Sequence, residues 1–470
     1  MMNERIKPRE LHGAKLFGYS IGHFGFFLTR ILISVFAFQF YVYTINLDSI
    51  LASIGVSINF VISATSIIIF GVLADKKKPG RFGKRRLFLL LGLPIWFITA
   101  ILIWFPPWKC PQNNSFFWPT AVFFWIILFI NAISGSCIIS AHDSMLPEQS
   151  QTYQNREKVA GWRAISMIAA SILSMMLPLM VESLLDDPEN VKWWQPSGRL
   201  ILFYIPLIGI SFATFGLLSL LFTYFSIDES FHKKKSVIGK EKLTVRETFR
   251  RMTIPAKDNK YRKFLGVVYF NAMASRILGV LIIPFLTYTL LFRGIDYLLY
   301  VIVSIGGKFG WLFIWKKILK KNSLIKTYSL CILAAIIVAP LELFFLVGIF
   351  SYELKIVLFI ITIGTILGTM YGLNLFAAPL ASALIYETAS KDGTDYTEEN
   401  VSNLSGSYFG LQSFTLAIGQ AVATFMVGLI LTGPNEGNPV IITMTLSSMG
   451  LFYIISLLFL RRIKLERYPQ

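Results

Sequence analysis

The 470-residue chain is 55% hydrophobic and only 15% charged, with 41 phenylalanines and a mean hydropathy of +0.62. A soluble domain usually has about a quarter of its residues charged, so this composition excludes that class of protein. The apolar residues fall in long runs without strict alternation, a pattern that indicates membrane-spanning helices and excludes a β-barrel.

The apolar runs predict an all-α membrane protein with twelve transmembrane helices in two bundles of six. In chain order, the predicted spans are 15–45, 50–74, 87–105, 118–143, 161–183, 199–226, 263–292, 297–315, 322–350, 355–387, 404–432 and 438–460. A polar, lysine-rich stretch divides them. We therefore predict an N-terminal bundle over 1–226, a cytoplasmic linker loop over 227–262 and a C-terminal bundle over 263–470.

The basic residues predict the orientation. If the N-terminus is cytoplasmic, 35 of the 44 Lys and Arg fall in cytoplasmic segments, as the positive-inside rule requires. We expect a multi-pass protein of the cytoplasmic (plasma) membrane with both termini in the cytoplasm and no removable signal peptide. The net charge of +18 is then explained by contact with membrane lipid, without a nucleic-acid partner.

Span one places Tyr19, His23 and Arg30 on one helix face, because they are spaced by four and seven residues. A charge at the bilayer centre is costly, so such residues must face a cavity or a partner. In a cavity, His23 would couple transport to protons and Arg30 would bind an anionic group. Alternatively, His23 makes an interhelical hydrogen bond and Arg30 a structural ion pair.

The loop after span two reads G-x-x-x-D from Gly71 to Asp75, followed by R-x-G-K-R-R from Arg81, through Gly83 and Arg85. Gly71 permits close helix approach, Asp75 can pair with an Arg or cap a helix, Gly83 makes the tight turn, and the basic residues anchor span three. This loop resembles the signature loop of the major facilitator superfamily. We therefore assign these five residues a gating and structural role.

Further polar residues lie in other spans and complete the predicted substrate site. The arginines among them are candidates for the same reason as Arg30: a buried guanidinium favours planar recognition of carboxylate or phosphate. The other residues offer polar or aromatic groups that could contact a hydroxylated solute. Interfacial anchoring, snorkelling and interhelical hydrogen bonding are the alternatives. The predicted substrate-binding residues are Arg30, Asn131, Trp162, Arg163, Arg276 and Gln412.

Four stretches narrow the resemblance: 19–25 in span one, 143–148 after span four, 156–163 before span five and 405–412 in span eleven. Together they resemble the glycoside–pentoside–hexuronide:cation symporters, the family of melibiose permease, to which the lysolipid transporters of vertebrates are distantly related. The resemblance implies a sugar-binding role for Arg163.

The chain also departs from that family. Where the cation-coupled members carry acidic residues, this chain has Phe27, Ser63, Ile67 and Ile139, and it has Ala417 where they carry a lysine. The departures affect both the family's sodium-binding carboxylates and its usual sugar site.

No phosphate-binding loop of the GK[ST] type occurs, and the four histidines have no metal-binding spacing, so we expect neither an enzyme nor a cofactor or metal site. We expect a secondary transporter for a sugar, glycoside or organic anion, working by alternating access, with H⁺ or Na⁺ as the coupling cation. A lysophospholipid transporter on the same fold and a non-transporting receptor are the alternatives.

Overall fold

The structure, a computed structural model, describes residues 9–77, 80, 83, 85–229, 244, 246, 247, 250, 253–348, 350–391 and 398–465. Within these ranges it confirms an all-α fold with twelve main helices. Eleven of them are long and apolar enough to span a bilayer, if the ninth is counted with its 3₁₀ continuation as Leu324–Leu346, and the third is a shorter apolar helix, Arg86–Leu102. In chain order they are α1 Gly13–Gln39, α2 Ser49–Lys76, α3 Arg86–Leu102, α4 Trp118–Gln149, α5 Tyr153–Glu182, α6 Pro196–Ser226, α7 Asn259–Pro284, α8 Asp296–Leu319, α9 Leu324–Val338, α10 Tyr352–Lys391, α11 Glu398–Ile430, and α12, made of Pro439–Ser447 and Met449–Arg461.

Several helices extend beyond the apolar runs that predict them. Helix α5 begins at Tyr153, because Thr152 caps it by accepting a hydrogen bond from the Asn155 backbone N–H. Helix α7 begins at Asn259, where Asp258 accepts bonds from two backbone N–H groups. A hydropathy pattern predicts only the part of a helix that lies inside lipid, so it does not detect a polar first turn outside the bilayer.

Each bundle repeats one packing scheme. In the first, α1 packs on α5 and α6 while α2 packs on α4; in the second, α7 packs on α11 and α12 while α8 packs on α10. The first helix of each bundle also ends alike, in a π-helical turn over Phe40–Thr44 or Phe285–Thr289. A left-handed residue follows each turn, Asn46 at φ 67° and Leu291 at φ 56°. Two matching halves are typical of transporters with a substrate site between them.

The two bundles meet through three helix pairs, α1–α7, α2–α11 and α5–α8. We call the side where α1 begins and α12 ends the terminal face, and the other side the opposite face. At the terminal face, the Arg9 backbone N–H donates to Gln151 at 2.9 Å and the Leu11 N–H donates to Asn155 at 2.9 Å. These bonds fix the start of α1 against the α4–α5 turn.

Small residues let α1 and α6 pack at close range. A Cβ on Gly25 would meet the Ser219 side chain and lie 2.9 Å from the Gly216 Cα. One turn further along, the Thr223 hydroxyl donates to the Gly18 carbonyl at 2.7 Å. Helices in lipid associate by such close packing and by interhelical hydrogen bonds, because no hydrophobic effect acts between them in the bilayer.

We predict that Gly25→Ala lowers the melting temperature of the purified protein. The added methyl group meets backbone that cannot rotate away, and overpacking of this kind costs about 1–3 kcal/mol. Gly161→Ala is the matched control, because a Cβ there has no atom within 4 Å. Equal melting temperatures for the two variants in a thermal-unfolding assay would refute the close packing.

Candidate functional site

A cleft runs into the first bundle between α1, α2, α3 and α4. It measures about 510 Å³, counting the solvent at its mouth. We call it the Arg30 cleft. Its lining residues are Phe26, Arg30, Ile33, Ser34, Asn59, Phe60, Ser63, Trp96, Asn131, Ala132, Gly135 and Ser136. Arginine is the sole charged side chain of this lining, so the cleft is electropositive.

The Arg30 guanidinium has no ion pair or side-chain hydrogen bond within the described ranges. It lies over the rings of Phe26 and Phe27, with its central carbon 6.0 and 5.8 Å from their centroids. The field of Asp143 reaches Arg30, but the Asp143 carboxylate is already bound by Arg163. Among the described residues, the positive charge of Arg30 is therefore not paired with a carboxylate.

A second guanidinium, that of Arg276 in α7, reaches the rim of the same cleft from the other bundle. Its Nη1 donates to the Ser34 carbonyl at 2.9 Å, and its Nε donates to the Thr424 hydroxyl at 2.8 Å. It also lies 4.9 Å from the ring centroid of Phe60. Ser34 and Phe60 both line the Arg30 cleft, so Arg276 contacts two residues of the cleft wall from outside the lining.

Two asparagine side chains of the cleft, those of Asn59 and Asn131, have amide oxygens that could still accept a hydrogen bond. The Asn131 amide nitrogen donates to the Thr99 hydroxyl at 3.0 Å, and the Asn59 amide nitrogen donates to the Leu128 carbonyl at 3.1 Å. Neither amide oxygen takes part in a hydrogen bond between described residues. Two cations with amide and hydroxyl groups around them suit a hydroxylated solute that carries a negative charge.

Arg163 and His23 lie nearer the terminal face, in a separate polar cluster. Arg163 forms an ion pair with Asp143, and the His142 ring stacks on Tyr19 with centroids 4.3 Å apart. The His23 ring centroid is 6.0 Å from that of His142. The structure therefore separates Arg163 from the two arginines of the cleft.

His142 is a residue of this cluster that the sequence analysis does not single out. It is buried, accepts a hydrogen bond from Tyr19 through its backbone carbonyl at 2.7 Å, and has its ring Nε2 3.0 Å from the Tyr19 carbonyl. The scarcity of histidine in apolar spans was the available signal, since an intramembrane His needs a partner.

Besides Arg163 and Arg276, two more of the predicted substrate-binding residues lie outside the cleft lining. Trp162 is 47% exposed on α5, beside the polar cluster. Gln412 lies on α11, and its buried Oε1 has no hydrogen-bond partner among the described residues.

The predicted gating loop is described in part. Gly83 has φ 85° and exchanges backbone hydrogen bonds with Gly80. The Arg85 backbone N–H donates to the Glu229 carboxylate at 3.0 Å, which ties the loop to the segment after α6. A Cβ on Gly71 would meet only ordinary van der Waals contact at 3.6 Å, so Gly71 does not mark a close approach. Arg81 and the side chain of Asp75 lie outside the described residues.

Hydrogen bonds and ion pairs join the two bundles. Among described residues, these contacts lie between the middle of the membrane and the opposite face. The Ser49 hydroxyl donates to the Gly428 carbonyl at 2.8 Å, and the Ser57 hydroxyl donates to the Ala421 carbonyl at 2.8 Å. The Thr432 hydroxyl donates to Asp48 at 2.8 Å. The molecule is therefore closed at the opposite face.

Two ion pairs bridge the rim of that closed face. Lys192 binds Glu436 at 3.2 Å, with both side chains largely buried, and Arg293 binds the more exposed Glu189 at 2.6 Å. Burial raises the pKa of Glu436 to about 7, although Lys192 opposes the shift. Burial thus has a larger effect on this carboxyl than its lysine partner does.

Comparison with known proteins agrees with this architecture. Residues 18–466 match the family described as MFS/sugar transport protein. An uncharacterized symporter of Synechocystis sp. (strain ATCC 27184 / PCC 6803 / Kazusa), sll1374, is 22% identical over 186 residues. That match covers 40% of this chain, and the chain spans about a third, 34%, of the relative's length.

Solved structures share the fold at low identity. A bacterial homolog of the human lysosomal transporter Spinster, in an inward-facing and unoccupied conformation, has a TM-score of 0.64 at 14% identity, covering 95% of both chains. A D-xylose–proton symporter also scores 0.64 at 14% identity, covering 96% of this chain and 97% of that one. A mutant of the nucleoside transporter NupG scores 0.64 at 14% identity, covering 96% of this chain and 100% of that one.

We predict that Lys192→Ala opens the opposite face more than Arg293→Ala does. Removing Lys192 leaves a buried carboxylate without its partner, whereas an exposed pair is worth only about 0–1 kcal/mol. Distances between spin labels on Asp186→Cys and Pro434→Cys, both exposed at this rim, measure the opening. A larger shift for Arg293→Ala would contradict the importance of the buried pair.

Proposed function

The chain belongs to the MFS/sugar transport protein family, and we propose that it carries a hydroxylated solute bearing a negative charge, such as a sugar acid. It is a multi-pass membrane protein with the fold of a secondary transporter. Alternating access is the mechanism that fits this fold, because two similar bundles can rock around a site held between them. The proposal therefore concerns which solute is carried and what drives its movement.

One observation carries the proposal: the Arg30 guanidinium lines a cleft within the membrane and has no acidic partner there. A charge in such a place is costly unless it is compensated. An incoming carboxylate compensates it with two parallel hydrogen bonds, which the planar guanidinium is shaped to donate. A neutral glycoside offers no charge, so it gains less from the same site.

Arg276 links solute binding to the closed interface. It donates to Ser34 of the first bundle and to Thr424 of the second, and its Nη2 is buried without a partner. A ligand anion near Ser34 would satisfy that Nη2 and would strengthen the contact between bundles. Substrate binding and closure of the opposite face are coupled in this way.

We further propose the orientation and the subfamily. In the sequence, 35 of the 44 basic residues fall in the segments predicted to lie on the same side as the N-terminus. By the positive-inside rule the terminal face is therefore cytoplasmic, and the closed face is extracellular. The described conformation is then open to the cytoplasm. The motifs after spans two and four and at spans five and eleven favour the glycoside–pentoside–hexuronide:cation symporters.

Coupling to a cation, with H⁺ favoured over Na⁺, also belongs to this proposal. His23 is buried, and its Nδ1 has no hydrogen-bond partner, which leaves one ring nitrogen available to a proton. It lies one turn from Phe27, whose ring contacts both His23, at 4.4 Å between centroids, and Arg30.

Uptake into proteoliposomes tests the solute class. We predict saturable uptake of radiolabelled hexuronate, competed by unlabelled hexuronate and much less by the matching neutral glycoside. Protein-free liposomes are the control. A preference for the neutral glycoside would overturn the anionic assignment, and competition by lysophospholipid alone would favour a lipid transporter on the same fold.

We predict that Arg30→Gln raises the KM for hexuronate roughly 10- to 100-fold, since a hydrogen bond to a charged group contributes about 1.5–3 kcal/mol. Arg30→Lys should fall between Arg30→Gln and the native chain, because it keeps the charge and loses the bidentate geometry.

Lys308→Gln is the matched control for these variants. It removes an intramembrane cation that lies on α8 and is absent from the lining of the Arg30 cleft. Unchanged hexuronate kinetics in Arg30→Gln, or an equal loss in Lys308→Gln, would exclude Arg30 as the anion-binding group.

A further inference from the structure

A second space lies between the two bundles, close to the opposite face. The space between its walls measures about 320 Å³, counting the open solvent at its edge. We call it the Glu182 chamber, after the acidic residue in its wall. The first bundle contributes Gln39, Tyr43 and Glu182, and the second contributes Thr287 and Tyr288.

The Glu182 carboxyl is buried, with 5% of the residue exposed, at the last residue of α5. Among described residues it makes no side-chain hydrogen bond and no ion pair. The two cations at the rim are both engaged: Lys192 binds Glu436 and the Val42 carbonyl, and Arg293 binds Glu189.

Two phenols of the second bundle lie within reach of the Glu182 charge. The charge of Glu182 influences Tyr288 and Tyr297 from the second bundle. The Tyr288 hydroxyl donates to the Glu189 carbonyl at 3.2 Å, and the Tyr297 hydroxyl shares a hydrogen bond with Thr287. Tyr43 of the first bundle donates to the Glu436 carbonyl at 2.8 Å. None of these hydroxyls is bound to the carboxyl.

An ionised carboxyl without a partner is unstable in such a place. Burial of an unpaired charge costs several kcal/mol, and a buried acid avoids this cost by binding a proton or a cation. The walls of the chamber come from both bundles, so parting the bundles at the opposite face exposes Glu182 to water. The charge on Glu182 and the position of the bundles are therefore linked.

We propose that the Glu182 carboxyl binds a monovalent cation, H⁺ or Na⁺, and that the opposite face closes only when this cation is bound. The inference rests on the transport function proposed above and adds a coupling site distinct from His23. His23 lies inside the first bundle, whereas Glu182 lies where the bundles meet. The oxygen groups beside it, the Gln39 amide and the Thr287 hydroxyl, are hard ligands of the kind that Na⁺ accepts.

The link between the Glu182 charge and the bundle position predicts the direction in which pH shifts the open-to-closed ratio. The closed state holds the cation tightly, and the open state exposes an ordinary carboxyl that loses its proton at mildly acidic pH. Raising the pH in the absence of Na⁺ therefore opens the opposite face, by up to about tenfold in the open-to-closed ratio for each pH unit. Glu436 acts in the same direction, since its pKa in the closed state is also raised.

The test uses the full chain in lipid nanodiscs, spin-labelled at Asp186→Cys and Pro434→Cys. Every sample also carries Glu436→Gln together with Lys192→Gln, which removes the contribution of Glu436 without leaving Lys192 as an unpaired buried charge. The native cysteines Cys110, Cys137 and Cys331 are buried. The distance distribution across the rim is recorded from acidic to alkaline pH, with choline or Na⁺ as the added cation.

We expect the rim to open as the pH rises in choline, and Glu182→Gln to stay closed throughout, because the amide mimics the neutral acid. Closure restored by Na⁺ at alkaline pH identifies a sodium site, and failure of Na⁺ to restore it identifies a proton site; both results support the proposal. A pH response that persists in Glu182→Gln would overturn it, as would a native chain that responds to neither cation.

Glu342→Gln is the matched control. Glu342 is a fully buried carboxyl without an ion pair among the described residues, but it lies within the second bundle, in the 3₁₀ turn Ala339–Leu346. Its substitution should leave the pH response intact. The measurement needs no substrate, so it can fail while the sugar-acid proposal stands, and the reverse also holds.

Discussion

Uncompensated charge in a low-dielectric interior is the constraint on which this molecule depends. Lipid offers no partner for a charged side chain, so each one must find another protein group, a ligand or a proton. Several charged side chains satisfy this rule within the protein, as the Lys260–Glu387 pair does. Arg30, Glu182 and Glu342 have no ion pair among the described residues, and we propose that cargo binds at the first of them and the coupling cation at the second.

In the proposed transport cycle, Arg30 and Glu182 have separate roles, binding of the cargo and binding of the cation. Arg30 lies in a cleft of the first bundle, while the Glu182 chamber is formed only when both bundles meet at the opposite face. Arg276 connects the cleft to the second bundle, because it is bonded to Ser34 at the cleft and to Thr424 of the second bundle. Cargo and cation thus both affect one equilibrium, the rocking of two bundles, and neither needs to touch the other.

The sequence predicted the transmembrane helices well, but it predicted contacts between residues that are distant in the sequence poorly. Twelve spans and the two bundles follow from apolar runs, since hydropathy is a local property. The spacing of Arg30 to Tyr19 and His23 left two alternatives open, a position in a cavity and a structural ion pair, because the surroundings of Arg30 depend on other helices. The beginning of α5 at Tyr153 was missed, because a capped polar first turn lies outside lipid and leaves no hydropathy signal.

The parts that sequence could not supply are long-range contacts. Nothing local in the sequence places Arg276 against Ser34, 242 positions away, or draws Glu182 to an interface with α7. A structure determined with bound hexuronate tests the central claim most directly. The account predicts the sugar carboxylate within hydrogen-bond distance of the Arg30 guanidinium, on the side facing Arg276. A guanidinium turned toward lipid, or bound to an acidic side chain of the protein while the sugar lies elsewhere, would contradict it.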